Sequence, residues 1–239
     1  MTRNPRPDRR DPAGYWDLRR DLEGPGCPAC RGANRFARKY IDALLWEMVN
    51  DGHVRARLRA AHGFCREHTL LAIVAAREQS AQLGMALLYE DFLRHIREEA
   101  VAVGRAKRGG ARRTRRRPGP NVLAAHAVCP ACESADRVVE NYLAVLATAE
   151  PASEIGVAAR SEGRLLCVPH FTMGAGIIGD PEGLERLTEI FLRGADELRT
   201  DLLEHARKHD YRYADEPPGR EADAWVRGPE WVVGRWTGR

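Results

Sequence analysis

The chain lacks the features that mark several common protein classes. No apolar run in its 239 residues approaches the length of a membrane span. Met1 to Arg10 are polar, rich in arginine and proline, and contain no apolar stretch, so a signal peptide or anchor is not expected and the predicted location is cytoplasmic, with no membrane partner. Strand-like alternation of useful length is missing, and so is the βαβ pattern of thioredoxin-like folds. H-E-x-x-H does not occur, and no H-x-E precedes the C-P-A-C of Cys129 to Cys132, as a nucleobase deaminase would require. No phosphate loop and no nucleophile with an adjacent base stand out, which predicts a protein that is not an enzyme. Six cysteines are present, and none falls outside one repeated motif.

That motif is the strongest positive signal. Cys27, Cys30, Cys65 and His68 recur as Cys129, Cys132, Cys167 and His170, each 102 positions later, and each copy reads C-P-A-C, 34 intervening residues, then C-x-x-H. Two cysteines separated by two residues can aim both sulfurs at one point, and a C-x-x-H knuckle adds the two ligands that complete a tetrahedron of the Cys3His kind. The expected ligand sets are therefore Cys27, Cys30, Cys65 and His68 for the first site, and Cys129, Cys132, Cys167 and His170 for the second, with two Zn2+ per chain. Four protein ligands close a site and leave no position for a water or substrate, which points to a structural ion. Pro28 and Pro130 suit the first turn of a helix, so each knuckle is predicted to open one, whose positive end favours thiolates.

Other uses of these residues fit less well. A C-P-x-C pair alone matches a redox motif, but a redox pair has no use for C-x-x-H at a fixed spacing. Structural disulfides do not suit a reducing compartment. An iron-sulfur cluster is less favoured than zinc because its usual ligands are four thiolates. Of the other histidines, His62 and His126 lie near the knuckles, but the positions 102 residues from them are Arg164 and Gly24, which predicts surface or supporting roles. His53, His95, His205 and His209 sit in polar helical contexts and read as solvent-facing.

With 44% hydrophobic and 30% charged residues the chain can fill a core and keep a soluble surface. Phe36, Tyr40, Leu44 and Met48, broadened by Ile41 and Leu45, mark an amphipathic helix from near Cys30 to a break at Asn50-Asp51-Gly52. A short helix from Val54 to Ala61 follows, then a long pattern through Leu70, Val74, Leu88, Phe92 and Ile96 to about Val103. Val138, Tyr142 and Leu146 repeat the first helix, and Leu184, Leu187, Phe191, Leu198 and Leu202 carry the last. These stripes are expected to be core.

The expected fold is all-α: two tandem pseudo-repeats of a zinc-clasped helical unit packed as one bundle. The predicted divisions are a disordered N-terminus (1–14), a first repeat (15–103), a disordered basic linker (104–120), a second repeat (121–210), and an irregular Trp-rich segment (211–239) folded back on the bundle.

The linker carries Arg105, Lys107, Arg108, Arg112, Arg113, Arg115, Arg116 and Arg117 and no acid; without these eight, 30 basic residues face 34 acidic ones. It reads either as a solvated spacer or as an arm for non-specific nucleic-acid binding through phosphates, and it lacks aromatics for base stacking.

The paired CPxC and CxxH knuckles resemble those of the bacterial domain-of-unknown-function family numbered 6062. So do Val49-Asn50-Asp51, Gly63-Phe64-Cys65, Tyr89-Glu90-Asp91 and the stretch from Lys208-His209-Asp210-Tyr211-Arg212 to Trp225. The resemblance runs from about Tyr15 to Gly234 and implies no catalytic residues. The first ten residues and the arginine-rich arm depart from it. Two functional readings follow: a non-enzymatic metal-stabilised protein that binds a macromolecule, either protein or nucleic acid, or a thiol sensor whose Cys3His sites release metal on oxidation.

Overall fold

The computed structural model describes residues 14–108, 127–213 and 215–234. Among these there are ten α-helices and no strand, in line with the all-α expectation. They are α1 (Tyr15–Asp21), α2 (Pro28–Glu47), α3 (Gly52–Ala60), α4 (Arg66–Glu78), α5 (Gln82–Arg108), α6 (Pro130–Thr148), α7 (Glu154–Ala159), α8 (Val168–Ile177), α9 (Pro181–Lys208) and α10 (Ala224–Val233). The 102-residue offset holds for the elements: α2, α3, α4 and α5 are followed by α6, α7, α8 and α9. The predicted disorder of 1–14 falls almost wholly outside the described residues.

The chain does not divide in tandem. One compact unit is 1–34 with 136–239, and the other is 35–135. The boundaries fall inside α2 and α6, so each of these helices gives its first turns to one unit and its remainder to the other. A linker-centred division fails for this reason. Periodicity assigns a whole helix to its repeat, whereas packing assigns each end of it separately.

The 1–34/136–239 unit is built around Leu18, Leu22, Tyr142, Leu143, Leu146, Leu166 and Leu187, all buried. Tyr142 is fully enclosed, and its hydroxyl donates to the buried carboxylate of Asp21 at 2.6 Å. A Cβ at Gly32 would come within 2.5 Å of the Tyr142 ring, so α2 needs its glycine there for the close approach.

The 35–135 unit buries Ala37, Ile41, Leu44 and Leu45 of α2, Leu58 of α3, Ala72, Ala75 and Ala76 of α4, and Leu88 and Phe92 of α5. This corrects the expected stripe. Leu70 and Val74 are 59% and 45% exposed, because the pattern is two helices and not one. Ser80, with φ 56°, breaks the backbone between α4 and α5 and resets the register, so the inward face of α4 is alanine. Leu202 of α9 is likewise 37% exposed.

Two further expectations change at chain segments. α5 continues to Arg108, so the first residues of the basic stretch are helical. The described part of the C-terminal segment is largely helical. Two short 3-10 turns, Tyr211–Tyr213 and Arg220–Asp223, lead into α10, which packs on α8 and α9. Buried Asp201 on α9 anchors it, accepting from Arg220 at 3.0 Å and from Arg227 at 3.0 Å. Lys208 and the Gly219 N–H hold the carboxyl of Glu221 down at about 2.

Candidate metal centres

All eight candidate ligands occupy equivalent positions in helix starts. α2, α4, α6 and α8 begin immediately after Cys27, Cys65, Cys129 and Cys167, whose carbonyls accept the first intrahelical bonds at 3.3, 2.8, 3.0 and 2.9 Å. The second ligand of each knuckle, Cys30, His68, Cys132 or His170, lies three residues on. These are the N-cap and N3 positions, which lie on one side of the helix start, and here both side chains turn to a shared point. Pro28 and Pro130 take the first helical position, where the missing N–H has no partner to lose. Each knuckle does open a helix, as predicted.

The grouping is not the predicted one. Cys27 and Cys30 meet Cys167 and His170, while Cys65 and His68 meet Cys129 and Cys132. The C-P-A-C of each copy is thus completed by the C-x-x-H of the other, and each cluster lies wholly inside one unit. Helix lengths explain the exchange. Twenty residues carry α2 about 30 Å, whereas nine carry α3 only about 13 Å. The connection to Cys65 adds little reach because it is spent on a tight turn, with the Gly63 N–H on the Leu58 carbonyl at 2.7 Å. In the second copy the difference is larger, 19 residues in α6 and six in α7. These lengths favour closure between the copies over closure at one end of a copy's own first helix.

Donor distances fit one ion in each cluster. In the first, Cys27 Sγ and Cys30 Sγ lie 3.5 and 3.4 Å from His170 Nδ1, Cys30 Sγ lies 3.6 Å from Cys167 Sγ, and Cys167 Sγ lies 3.0 Å from His170 Nδ1. In the second, His68 Nδ1 lies 3.3, 3.7 and 3.3 Å from the sulfurs of Cys65, Cys129 and Cys132, and Cys65 Sγ lies 3.7 Å from Cys132 Sγ. A tetrahedron with zinc–sulfur bonds of about 2.3 Å has sulfur–sulfur edges of about 3.8 Å and slightly shorter sulfur–nitrogen edges.

Electrostatics show what these clusters need. Burial pushes the Cys27 thiol up, but hydrogen bonds from Cys167, Cys30 and His170 outweigh it and hold Cys27 well below the ordinary thiol range. Cys30 is driven far up by its hydrogen bonds to Cys167 and Cys27 and by burial. Cys167 is raised by its bond to Cys27. In the second cluster burial, then the negative charge of Cys129 and the contact with Cys65, raise Cys132. In the first cluster one thiolate is tolerated while Cys30 and Cys167 keep their protons, so full deprotonation there requires a cation among them.

The first cluster is built around a short backbone bridge. The Gly26 N–H donates to Gly163 O at 2.8 Å and the Leu165 N–H to Gly26 O at 3.3 Å. Gly26 has φ 83°, a value that suits glycine. Arg164 reinforces the bridge by donating to Leu22 O at 2.7 Å and Glu23 O at 2.8 Å. α10 then covers the cluster: Trp231 donates to Leu166 O at 2.9 Å and stacks on Phe191, and Gly234 O lies 2.9 Å from Cys30 Sγ. Arg164, Trp231 and Gly234 escaped sequence reasoning. The signal for Arg164 was its place at the offset of His62.

The second cluster is assembled differently. The Ala127 N–H donates to Ala60 O at 3.1 Å, and Arg57 pairs with Glu133 at 2.5 Å, joining α3 to the first turn of α6. Where Trp231 meets the Leu166 carbonyl in one unit, Thr69 Oγ1 meets the equivalent Phe64 carbonyl at 3.2 Å in the other. His62 is not a surface residue: its side chain is only 14% exposed and its Nε2 lies 3.2 Å from Glu99, which also meets His95 at 3.3 Å. Arg105 is exposed on α5 and Lys107 and Arg108 belong to the same helix, while Arg112, Arg113, Arg115, Arg116, Arg117 and His126 lie outside the described residues. No helix among the described residues is long and apolar enough to cross a membrane.

Comparison with known proteins gives one match, to the model of a family of unknown function, DUF6062, over residues 22–238. No curated protein and no solved structure matches the chain.

Proposed function

The chain belongs to DUF6062, a family of unknown function, and from that footing we propose that it is a non-enzymatic protein in which two zinc ions hold a helical scaffold that binds a macromolecular partner. The observation that carries the metal reading is the closure of two Cys3His clusters whose donors all lie within 4.8 Å of one another. Such spacing suits a single ion and not a multi-iron cluster, whose ligands sit on different metals. Cys27, Cys30, Cys167 and His170 would hold one ion, and Cys65, His68, Cys129 and Cys132 the other. The ion supplies the positive charge that lets three crowded thiols exist as thiolates. The protein contributes two helix N-termini per site, whose dipoles favour the same charge state. With four protein ligands the coordination is complete, which supports a structural role over a hydrolytic one.

Elemental analysis of the purified full chain is expected to give two zinc ions per molecule, with X-ray absorption showing three sulfurs and one nitrogen around each. One ion per chain, or iron with sulfide, would defeat the reading. Partner binding through the basic stretch predicts that nucleic acid co-purifies with the intact chain and not with one lacking Arg105 to Arg117; no nucleic acid in either would end that branch.

A further inference from the structure

The two clusters share ligands and geometry but not accessibility. Cys27, Cys30 and Cys167 are 0%, 2% and 1% exposed, and α10 lies over them with Trp231 and Gly234. In the other cluster Cys129 is 8% exposed, while Cys65 and Cys132 are only half-buried. The positions 102 residues before α10 are 122–131, the stretch leading into Cys129 itself, and among the described residues no helix lies over the second cluster as α10 lies over the first. The two more accessible thiols are also neighbours, Cys65 Sγ lying 3.7 Å from Cys132 Sγ.

Resting on the zinc reading above, we infer that the cluster of Cys65, His68, Cys129 and Cys132 is a redox-modification site: a hydroperoxide joins Cys65 to Cys132 and frees that ion, while the α10-covered cluster keeps its own. In the first step one of the two thiolate sulfurs attacks the peroxide, the O–O bond breaks, and a sulfenic acid forms while the departing hydroxide takes a proton and leaves as water, or the alkoxide of an organic peroxide leaves as alcohol. The second sulfur then attacks the sulfenic sulfur, the S–O bond breaks, and with a proton a second water leaves. Two thiolates are oxidised by two electrons and the peroxide is reduced by two. The site is left with Cys129 and His68, too few ligands to retain a closed tetrahedron. Cys129 is the less suitable partner for Cys132 because it is the most buried thiol of the three.

The test uses the full chain loaded with two zinc ions and treated with hydrogen peroxide, following zinc with a chromogenic chelator and thiols by alkylation and peptide mapping. One equivalent of zinc is expected to leave first, with a Cys65–Cys132 disulfide and with Cys27, Cys30 and Cys167 still alkylatable after denaturation. The second equivalent should leave roughly tenfold or more slowly, and dithiothreitol with zinc should restore the first site. Loss of both ions at one rate, early oxidation of Cys27, Cys30 or Cys167, or a Cys129–Cys132 disulfide would overturn the inference. Trp231→Ala should bring the slow release toward the fast one; an unchanged ratio would refute the protective role of α10. A protein that never holds two ions defeats the metal reading before peroxide is added, so the two failures are separable.

Discussion

In a Cys65→Ser variant the first turn of α6 is expected to lose amide protection, together with the first turn of α4, while the turn after Cys27 keeps it. The cause is the exchanged ligand set: Cys65 shares its centre with Cys129 and Cys132, and Cys27 has no part in it. The variant should bind one zinc ion in place of two and lose several kcal/mol of stability in the 35–135 unit, since the affinity of a structural ion is itself folding free energy. Cys167→Ser should do the reverse, loosening the turn after Cys27 and sparing the turn after Cys129. Hydrogen exchange read by mass spectrometry separates this from closure within each copy, which would place the Cys65→Ser effect at residues 27–31. Protection lost there, and retained at 129–133, would contradict the exchanged sets.

Much of the local structure was legible in the sequence. The C-P-A-C knuckles mark helix starts because Pro28 and Pro130 suit a first helical position, and the 102-residue repeat gave the order of elements in the second copy. Apolar periodicity found α2, α6 and α9 but joined α4 to α5, since Leu70 and Val74 continue the spacing of Leu88 and Phe92 across a break that Ser80 makes in the backbone. The exchange of ligands was not read because a repeat suggests that each copy closes on itself. A clue was present nonetheless. The stretch from Val54 to Ala61 is much shorter than α2, and α7 is shorter still. The cover of the first cluster was hidden for a different reason: Trp231 and Gly234 lie outside the repeat, so nothing in the first copy foreshadows them.

The exchange also alters what ions bound at the two centres would do for the chain. Closure within a copy would tie ligands with 34 residues between them, whereas the two clusters bring Cys30 to Cys167 and Cys65 to Cys132. Each crosslink therefore spans both copies and closes a longer loop, and a longer loop costs the unfolded chain more entropy, though only with the logarithm of its length. In exchange, neither copy can complete a centre alone. Folding of either centre requires the C-P-A-C of one copy to find the C-x-x-H of the other, which makes the duplicated sequence interdependent.

Removing both ions should have the largest effect of any perturbation. A structural zinc ion contributes on the order of 10 kcal/mol, against a total stability of about 5–15 kcal/mol for a typical domain. Cys27, Cys30 and Cys167 are members of the main buried cluster of the 1–34/136–239 unit, so demetallation leaves crowded thiols in its core without the charge that holds them together. The 35–135 unit has less to fall back on, because α4 buries Ala72, Ala75 and Ala76 where larger side chains would bury more area. Dialysis against a strong chelator with a reductant present is therefore expected to abolish the cooperative thermal transition and most of the helical circular dichroism at 222 nm. The 35–135 unit should lose amide protection first, and added zinc should restore both signals. A metal-free protein that melts cooperatively within a few degrees of the loaded one would show that apolar packing alone holds the fold, and that the two clusters serve some purpose other than structure.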